Sequence, residues 1–257
     1  MLTQMAITGD LTTLRFSFAF LGDFERNGDV TSTTSTTRGS MMTCDAEPLQ
    51  ILAYCPPGAT LIDSQHLDLD QITGHVVAAS RRGTDVARLC SGDPSIYSAL
   101  AEQTRRLDEA GVDWDVTPGV PAYAAAAAII GRELTVPELA QTVILTRTQA
   151  ASTAMPETES MTYLAAARAT MIIHLAIRRI RAICAELTPA YGANCPVAVV
   201  GNATQPNETV LRGTLATIAD QVERAGLRQA AVIMVGQALH AEDFVESHLY
   251  GKRRSRP

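Results

Sequence analysis

The sequence lacks the short motifs that identify several large classes of enzyme. It contains no GxGxxG fingerprint, no Walker phosphate loop, no GxSxG elbow and no set of kinase motifs. A dehydrogenase, an ATP-dependent enzyme and a serine hydrolase therefore have no support. The five histidines never form HExxH or another ligand spacing, and we predict no bound metal.

Cysteine pairs and long hydrophobic runs are also absent. The five cysteines, at positions 44, 55, 90, 184 and 195, include no CxxC pair, which fits neither a disulfide framework nor a zinc site. Cys90 and Cys184 are instead predicted to be small buried apolar residues. The chain opens without a charged-then-apolar leader, and no apolar run reaches the ~18 residues of a membrane helix. We expect a cytoplasmic protein with no membrane partner.

An excess of positive charge is missing as well. The formal net charge is -6 at pH 7, whereas a nucleic-acid-binding protein needs a basic surface. The one dense basic cluster runs from Lys252 to Arg256, and its place at the chain end predicts a solvated tail. Nucleic acid is therefore not an expected partner.

From residue 51 onward, short apolar runs alternate with amphipathic helical segments. The runs are continuous, which indicates strands of parallel sheets that are covered on both faces. The fold class is therefore predicted to be α/β. Strands are predicted in DVARLC, DWDVTP, QTVILTRT, ATMIIHLAI, CPVAVVGNAT and AAVIMVGQAL, and helices in HVVAASRRG, SIYSALAEQTRRLDEAG, AYAAAAAIIGREL, RRIRAICAELTPAYG and TLATIADQVERAG.

A break in this pattern near residue 118 predicts a hinge between two domains. Pro118, Gly119 and Pro121 are all poor in regular structure, so a linker is expected there. The segments we expect are an N-terminal domain, a C-terminal domain and a basic tail, at residues 51–117, 118–245 and 246–257.

The first 50 residues form an atypical segment. They contain one apolar run, from Phe16 to Leu21, followed by a Thr/Ser tract from Thr31 to Thr37. Such a tract buries little surface, and we expect a loop or disorder.

The stretch SGDPSIY follows the strand predicted in DVARLC. Ligands of parallel α/β sheets bind beyond the carboxyl ends of the strands, so this is a candidate site. Gly92 would let the backbone approach a ligand, and Asp93 could accept hydrogen bonds from ligand hydroxyl or amino groups. Pro94 suits the first turn of a helix, and Asp93 or Ser95 could cap it. The residues alone thus leave a simple capped turn as the alternative.

Residues 51 to about 240 resemble the tetrapyrrole methylase family, the S-adenosylmethionine-dependent enzymes of corrin and sirohaem synthesis. GDPSIY together with TPGVPA is typical of the family. ILAYCPPGA and LTRT are most similar to the enzymes that methylate carbon 11 of precorrin-4, in its cobalt-free or its cobalt form. Further similar segments are HLAI, ELTPAYGANCPVAVV, RGTLATIADQV and AVIMVGQAL.

This resemblance implies two α/β domains with parallel or mixed sheets, a homodimer, and a methyl donor held in a cleft between the domains. Each implied contact also has a plain structural alternative, since Ile96 and Leu175 could be core residues and Tyr97 an ordinary helix aromatic. The residues implied to bind S-adenosylmethionine are Gly92, Asp93, Ile96, Tyr97, Pro121, Ala122, Leu175, Ala203 and Gly236.

The implied substrate is a macrocycle that carries many carboxylates, and arginine is the residue that matches carboxylates best. Arg147 in LTRT and Arg132 in GREL are the candidate substrate-binding residues. A third candidate is the group Arg178, Arg179 and Arg181, for which a solvated helix face is an equal alternative. Methyl transfer from a sulfonium to carbon is an in-line displacement, and no catalytic base can be assigned from the sequence.

The N-terminal segment departs from the family, whose members begin with a strand and a GxGPG turn and later carry a segment such as LYAGSL. The nearest text here, FSFAFLGDFERNGD, has the apolar run but only scattered glycines. Either the start reflects a shifted reading frame, or the chain is divergent. The functional alternatives are a methylase of another tetrapyrrole, such as another precorrin or uroporphyrinogen, and a donor-binding module without turnover.

Overall fold

The computed structural model describes residues 16–19, 41–44, 58–149 and 154–241. The Thr/Ser tract, the basic tail and most of ILAYCPPGA lie outside these residues. The chain divides after Pro121 into two compact units, and each unit contains one five-stranded sheet. None of the helices in the described ranges has the length and apolar character needed to cross a membrane.

The sheet of the first unit is entirely parallel, with the order β3-β2-β4-β1-β5. Two of its strands come from the first 50 residues, and β1 lies between β4 and β5, with Phe16 opposite both Val86 and Trp114. The strands are β1 (Phe16–Ala19), β2 (Met41–Cys44), β3 (Thr60–Asp63), β4 (Val86–Leu89) and β5 (Trp114–Val116).

Two helices, α1 (Leu69–Arg81) and α2 (Leu100–Glu109), pack against this sheet and each other. A capping box starts α1: the Asp68 carboxylate accepts from Gln71 N, and the Gln71 side chain accepts from Asp68 N. Such boxes satisfy N–H groups that lack partners within the helix. The shared core includes Val76, Val86 and Leu107, so the two helices and β4 bury one common apolar cluster.

The second sheet is mixed, with the order β6-β7-β10-β8-β9. Strands β6, β7 and β8 run in one direction, whereas β9 and β10 run in the other. The strands are β6 (Val143–Arg147), β7 (Thr170–His174), β8 (Pro196–Gly201), β9 (Thr209–Thr214) and β10 (Ala231–Val235).

The second unit confirms the α/β class with parallel or mixed sheets, although its continuous apolar runs by themselves favour parallel strands. Apolar clusters lie on both faces of the sheet, one around α3 (Ala122–Ile130) and one around α5 (Ile180–Tyr191). This double coverage explains the continuous apolar runs, because burial on both faces requires them whatever the strand direction. The remaining helices are α4 (Met161–Ala165) and α6 (Ile218–Arg224).

The structure adds one strand to those predicted and places a proline within one helix. Strand β9 was not predicted, since its residues are only half-buried at the sheet edge. The helix predicted in RRIRAICAELTPAYG is α5, which includes Pro189 and ends at Tyr191, with Gly192 as its C-cap. Cys90 and Cys184 are buried free thiols, as predicted.

Candidate functional site

The loop after β4 is fastened by the carboxylate of Asp93. Its Oδ1 accepts from Ser95 N at 2.8 Å and from Ser95 Oγ. Its Oδ2 accepts from Gly119 N at 2.8 Å. Gly119 follows β5, so one side chain joins two loops at the carboxyl edge of the parallel sheet. These loops flank the end of β1, where such sheets bind ligands.

The electrostatics of Asp93 favour the ionised form. Partial burial acts to raise the pKa of this carboxyl, but the hydrogen bonds from Ser95 Oγ, Gly119 N and Ser95 N outweigh it and lower the pKa below the ordinary value. A carboxylate that accepts several hydrogen bonds is stabilised in this way. Asp93 is therefore a fixed negative charge at neutral pH, and its oxygens retain lone pairs for a further donor.

The possible helix cap at Asp93 or Ser95, with Pro94 in the first turn, is wrong. Helix α2 begins at Leu100, and its N-cap, Ala99, has φ +56° and no side-chain cap. Residues 94 to 98 form turns instead, and Ser98 Oγ donates to the Pro94 carbonyl. Because Asp93 bonds within the loop and to Gly119, its side chain is not available to start the helix.

This loop stores backbone strain and presents an aromatic side chain. Gly92 is buried with φ +83°, whereas Tyr97 adopts φ +55° without the freedom of glycine. Left-handed conformations of non-glycine residues cost about 1–2 kcal/mol each. Tyr97 is 46% exposed, and Ile96 is half-buried. A strained loop held by its own hydrogen bonds suits a preformed binding site.

In the second unit, the ends of β6, β7 and β8 lie at one sheet edge, because these strands share a direction. Leu175 follows β7 with φ +53° and is 76% exposed. Ala203 follows β8 and packs on the α3 side of the core, together with Ala122 and Tyr123. The structure thus brings Ala122, Leu175 and Ala203 to one region of this unit, whereas Pro121 ends the first unit.

An aromatic pair lies in the same region. The rings of Tyr123 and His174 meet edge to face, with centroids 6.4 Å apart. Burial lowers the pKa of His174, so its imidazole is neutral at physiological pH. No sequence pattern singles out this pair, because the two residues are far apart along the chain.

Gly236, which the family resemblance implies would close the donor pocket, lies at the other edge of this sheet from Leu175 and Ala203. It follows β10, which runs antiparallel to β7 and β8. Its N–H donates to Pro196 O, and a Cβ at this position would lie 3.1 Å from Thr170 Cα. Both contacts are at the starts of β8 and β7. A five-residue strand such as β10 is roughly 15 Å long. Gly236 therefore lies about that far from the edge that carries Leu175 and Ala203.

The arginine candidates differ in their partners. Arg147 ends β6 beside a cavity of about 420 Å³ and donates to Thr148 O and Ala154 O. Arg132 donates to Ala241 O. Each guanidinium of the third group has a partner within the protein. Arg178 donates to Arg228 O, and Arg179 pairs with Glu186. Arg181 pairs with Asp220 and Glu223. Those pairs favour the alternative of a solvated helix face.

A comparison with known proteins identifies the family. A model of the tetrapyrrole (corrin/porphyrin) methylases matches residues 44–219. A precorrin-4 C(11)-methyltransferase of Rhodococcus erythropolis is 54% identical over 81% of this chain and 84% of its own length. One of Sinorhizobium sp. is 48% identical over 78% of this chain and 79% of its own length.

A solved structure shows the same fold. The crystal structure of a cobalt precorrin-4 methyltransferase superposes with a TM-score of 0.75 and is 34% identical, covering 79% of this chain and 85% of that one. The family match begins at Cys44, so most of the atypical segment lies before it. With more than half of its residues matched, the chain belongs to the tetrapyrrole (corrin/porphyrin) methylase family.

Proposed function

We propose that the protein transfers a methyl group from S-adenosylmethionine to carbon 11 of precorrin-4. The observation that carries this proposal is the strained loop fixed by Asp93 at the carboxyl edge of the first sheet. The high identity to the Rhodococcus enzyme supports the choice of reaction. The lower identity to the cobalt precorrin-4 structure favours the cobalt-free substrate.

The described residues fit the donor chemically. Asp93 supplies an ionised acceptor for hydroxyl or ammonium groups. Tyr97 and Leu175 expose apolar surface at loop positions with left-handed backbone, which suits the adenine and the methionine chain. We retain as proposed donor contacts Gly92, Asp93, Ile96, Tyr97, Pro121, Ala122, Leu175 and Ala203, and we leave out Gly236.

The mechanism depends on positioning. When bound, S-adenosylmethionine supplies an electrophilic methyl group on a sulfonium. Asp93 fixes the loop before binding, so little ordering remains to be done in the complex. Orientation of this kind contributes about 7–11 kcal/mol in favourable cases. Apolar side chains of the loop, such as Ile96 and Tyr97, exclude water, which favours the dispersal of charge as the sulfonium becomes a thioether.

The test is a methyl-transfer assay with purified protein. Incubation with S-adenosylmethionine and precorrin-4 should yield a tetrapyrrole heavier by one methyl group, and nuclear magnetic resonance should place that group on carbon 11. Methylation of another carbon would identify a sister methylase. Donor binding without transfer would identify a binding module. Absence of donor binding would contradict the proposal altogether.

Cellular location and assembly belong to the same proposal. We propose a cytoplasmic homodimer, because tetrapyrrole methylases are often dimeric. Light scattering of the purified protein should give twice the monomer mass, and a monomer at micromolar concentration would contradict this part alone.

Substitution of Arg147 tests the substrate side. We expect Arg147→Gln to raise KM for the tetrapyrrole about tenfold, since a hydrogen bond to a charged group contributes about 1.5–3 kcal/mol. The affinity for S-adenosylmethionine should stay the same. Arg132→Gln should act in the same direction.

Arg181→Gln is the matched control for Arg147→Gln. Arg181 is an arginine of the same unit whose guanidinium is paired with Asp220 and Glu223. Its loss should leave both Michaelis constants unchanged. Equal effects of the two substitutions would show that general charge, rather than Arg147, attracts the substrate.

A further inference from the structure

Arg88 is a charged residue in the interior of the first unit. It lies in β4, between β2 and β1, opposite Thr43 on one side and Phe18 on the other. Only 3% of its surface is exposed. A charge at such a position is costly unless its donors are hydrogen-bonded, so its bonds are informative.

The guanidinium of Arg88 links three elements. Its Nη1 donates to Ser64 Oγ at 3.0 Å, just after β3, and to Leu89 O at 3.1 Å. Its Nε donates to Gln103 Oε1 at 3.4 Å, on α2. The side chain therefore runs from the carboxyl edge of the sheet to the helix that follows the candidate loop.

Gln103 connects Arg88 to the loop after β4 through hydrogen bonds of its side-chain amide. It is itself 3% exposed, and its Nε2 donates to Ser98 O at 3.0 Å and to Ala99 O at 3.3 Å. A guanidinium can only donate and a carbonyl can only accept. The amide therefore has one orientation that satisfies all its partners, with the oxygen toward Arg88 and the nitrogen toward the loop.

The two carbonyls belong to the strained half of the loop. Ser98 separates Tyr97 from Ala99, and both of these have left-handed φ values near +55°. Asp93 holds the first half of the loop through Ser95 and Gly119, whereas Gln103 holds the second half. We propose that Gln103, oriented by Arg88, is a positioning residue that keeps Tyr97 in its binding conformation and so sets the affinity for S-adenosylmethionine.

This inference rests on the proposed function, and Gln103→Glu tests it. Glutamate keeps the size of the side chain and an oxygen acceptor for Arg88, but it turns an oxygen instead of an NH₂ group toward two carbonyls. We expect the dissociation constant for S-adenosylmethionine and its KM to rise about tenfold. The value of kcat at saturating donor and the KM for the tetrapyrrole should change less than about threefold.

Thr73→Val is the matched control. Thr73 is a buried polar residue of the same unit, and its hydroxyl donates to Leu69 O within α1. It should lower the melting temperature without changing donor affinity. Equal losses of donor affinity in both variants, or wild-type affinity in Gln103→Glu, would overturn the positioning role.

A second variant and a local measurement keep the test decisive. If Gln103→Glu does not fold, Ser64→Ala, which removes one bond from Arg88, should weaken donor binding about threefold. Wild-type affinity in that variant would then overturn the proposal. If the wild type itself does not bind S-adenosylmethionine, the proposed function fails. Faster amide hydrogen exchange at residues 96 to 99 in either variant would still support the positioning of the loop, and unchanged exchange would overturn it.

Discussion

Asp93→Ala is expected to weaken the binding of S-adenosylmethionine about 100-fold, or ~2.7 kcal/mol. The substitution removes the acceptor of Ser95 N, Ser95 Oγ and Gly119 N. Each hydrogen bond to a charged group contributes about 1.5–3 kcal/mol. Without them the loop after β4 has to be ordered by the donor itself, and binding has to supply that free energy. Calorimetric titration of the two proteins measures the difference directly.

Asp68→Ala separates this effect from a general loss of stability. Asp68 is an aspartate of the same unit whose carboxylate accepts from Gln71 N at 2.8 Å. Removing this cap should cost about 1 kcal/mol of unfolding free energy and leave donor affinity unchanged. If Asp93→Ala bound the donor as tightly as Asp68→Ala does, the loop would not be the donor site.

The ionisation of Asp93 predicts a dependence on pH. Because the folded protein lowers the pKa of this carboxyl below 3.8, its stabilising contribution is complete above the ordinary pKa and is lost as the pH falls through the folded value. The difference in unfolding free energy between the wild type and Asp93→Asn should therefore be constant from neutral pH to about pH 4 and shrink below it. A difference that already shrinks above pH 5 would contradict the assigned hydrogen bonds.

Local sequence patterns predict most of the strands and helices but not the contacts that shape the loop. Local patterns predict the positions of β4, α3 and the end of α2 to within a few residues. The signals are an apolar run, an alanine-rich segment and a glycine, respectively. The bond from Gly119 N to Asp93 joins positions that lie 26 residues apart. No local pattern reports such a bond, so Asp93 or Ser95 looked like a possible helix cap and α2 was predicted to start too early.

Strand direction is the second property that local patterns miss. The sequence around Gly236 resembles a strand end beside a ligand, as the sequence around Leu175 does. The antiparallel pairing of β10 with β7 and β8 places Gly236 and Leu175 at opposite edges of the sheet. Burial on both faces makes parallel and antiparallel strands look alike in sequence, and only the pairing distinguishes them.

Strand β1 belongs to the atypical N-terminal segment and yet lies inside the first sheet. Residues Phe16–Ala19 form a strand with partners on both sides, although the family match begins only at Cys44. An apolar run of suitable length thus supplies a strand without the glycine-rich turn of the family. The sequence between β1 and β2 is therefore the part of the chain in which a shifted reading frame should be sought, by translating the neighbouring frames of the gene for GxGPG.

Gly236→Ala is expected to lower the unfolding free energy by about 3 kcal/mol while leaving donor affinity unchanged in the folded protein. Two costs combine at this position. The backbone has φ +147°, which side chains with a Cβ rarely adopt, and the new Cβ would lie 3.1 Å from Thr170 Cα. Thr170 is fully buried at the start of β7, and its hydroxyl donates to Leu134 O, so the backbone there has little room to move.

Gly226→Ala provides the comparison for Gly236→Ala. Gly226 also has a positive φ, of +67°, but a Cβ there would meet nothing within 4 Å. Its substitution should cost only about 1 kcal/mol, the backbone part alone. Urea unfolding gives both values, and calorimetry at a temperature where both variants are folded gives donor affinity. A folded Gly236→Ala protein with weakened donor binding would return Gly236 to the donor site and contradict the separation of the two sheet edges.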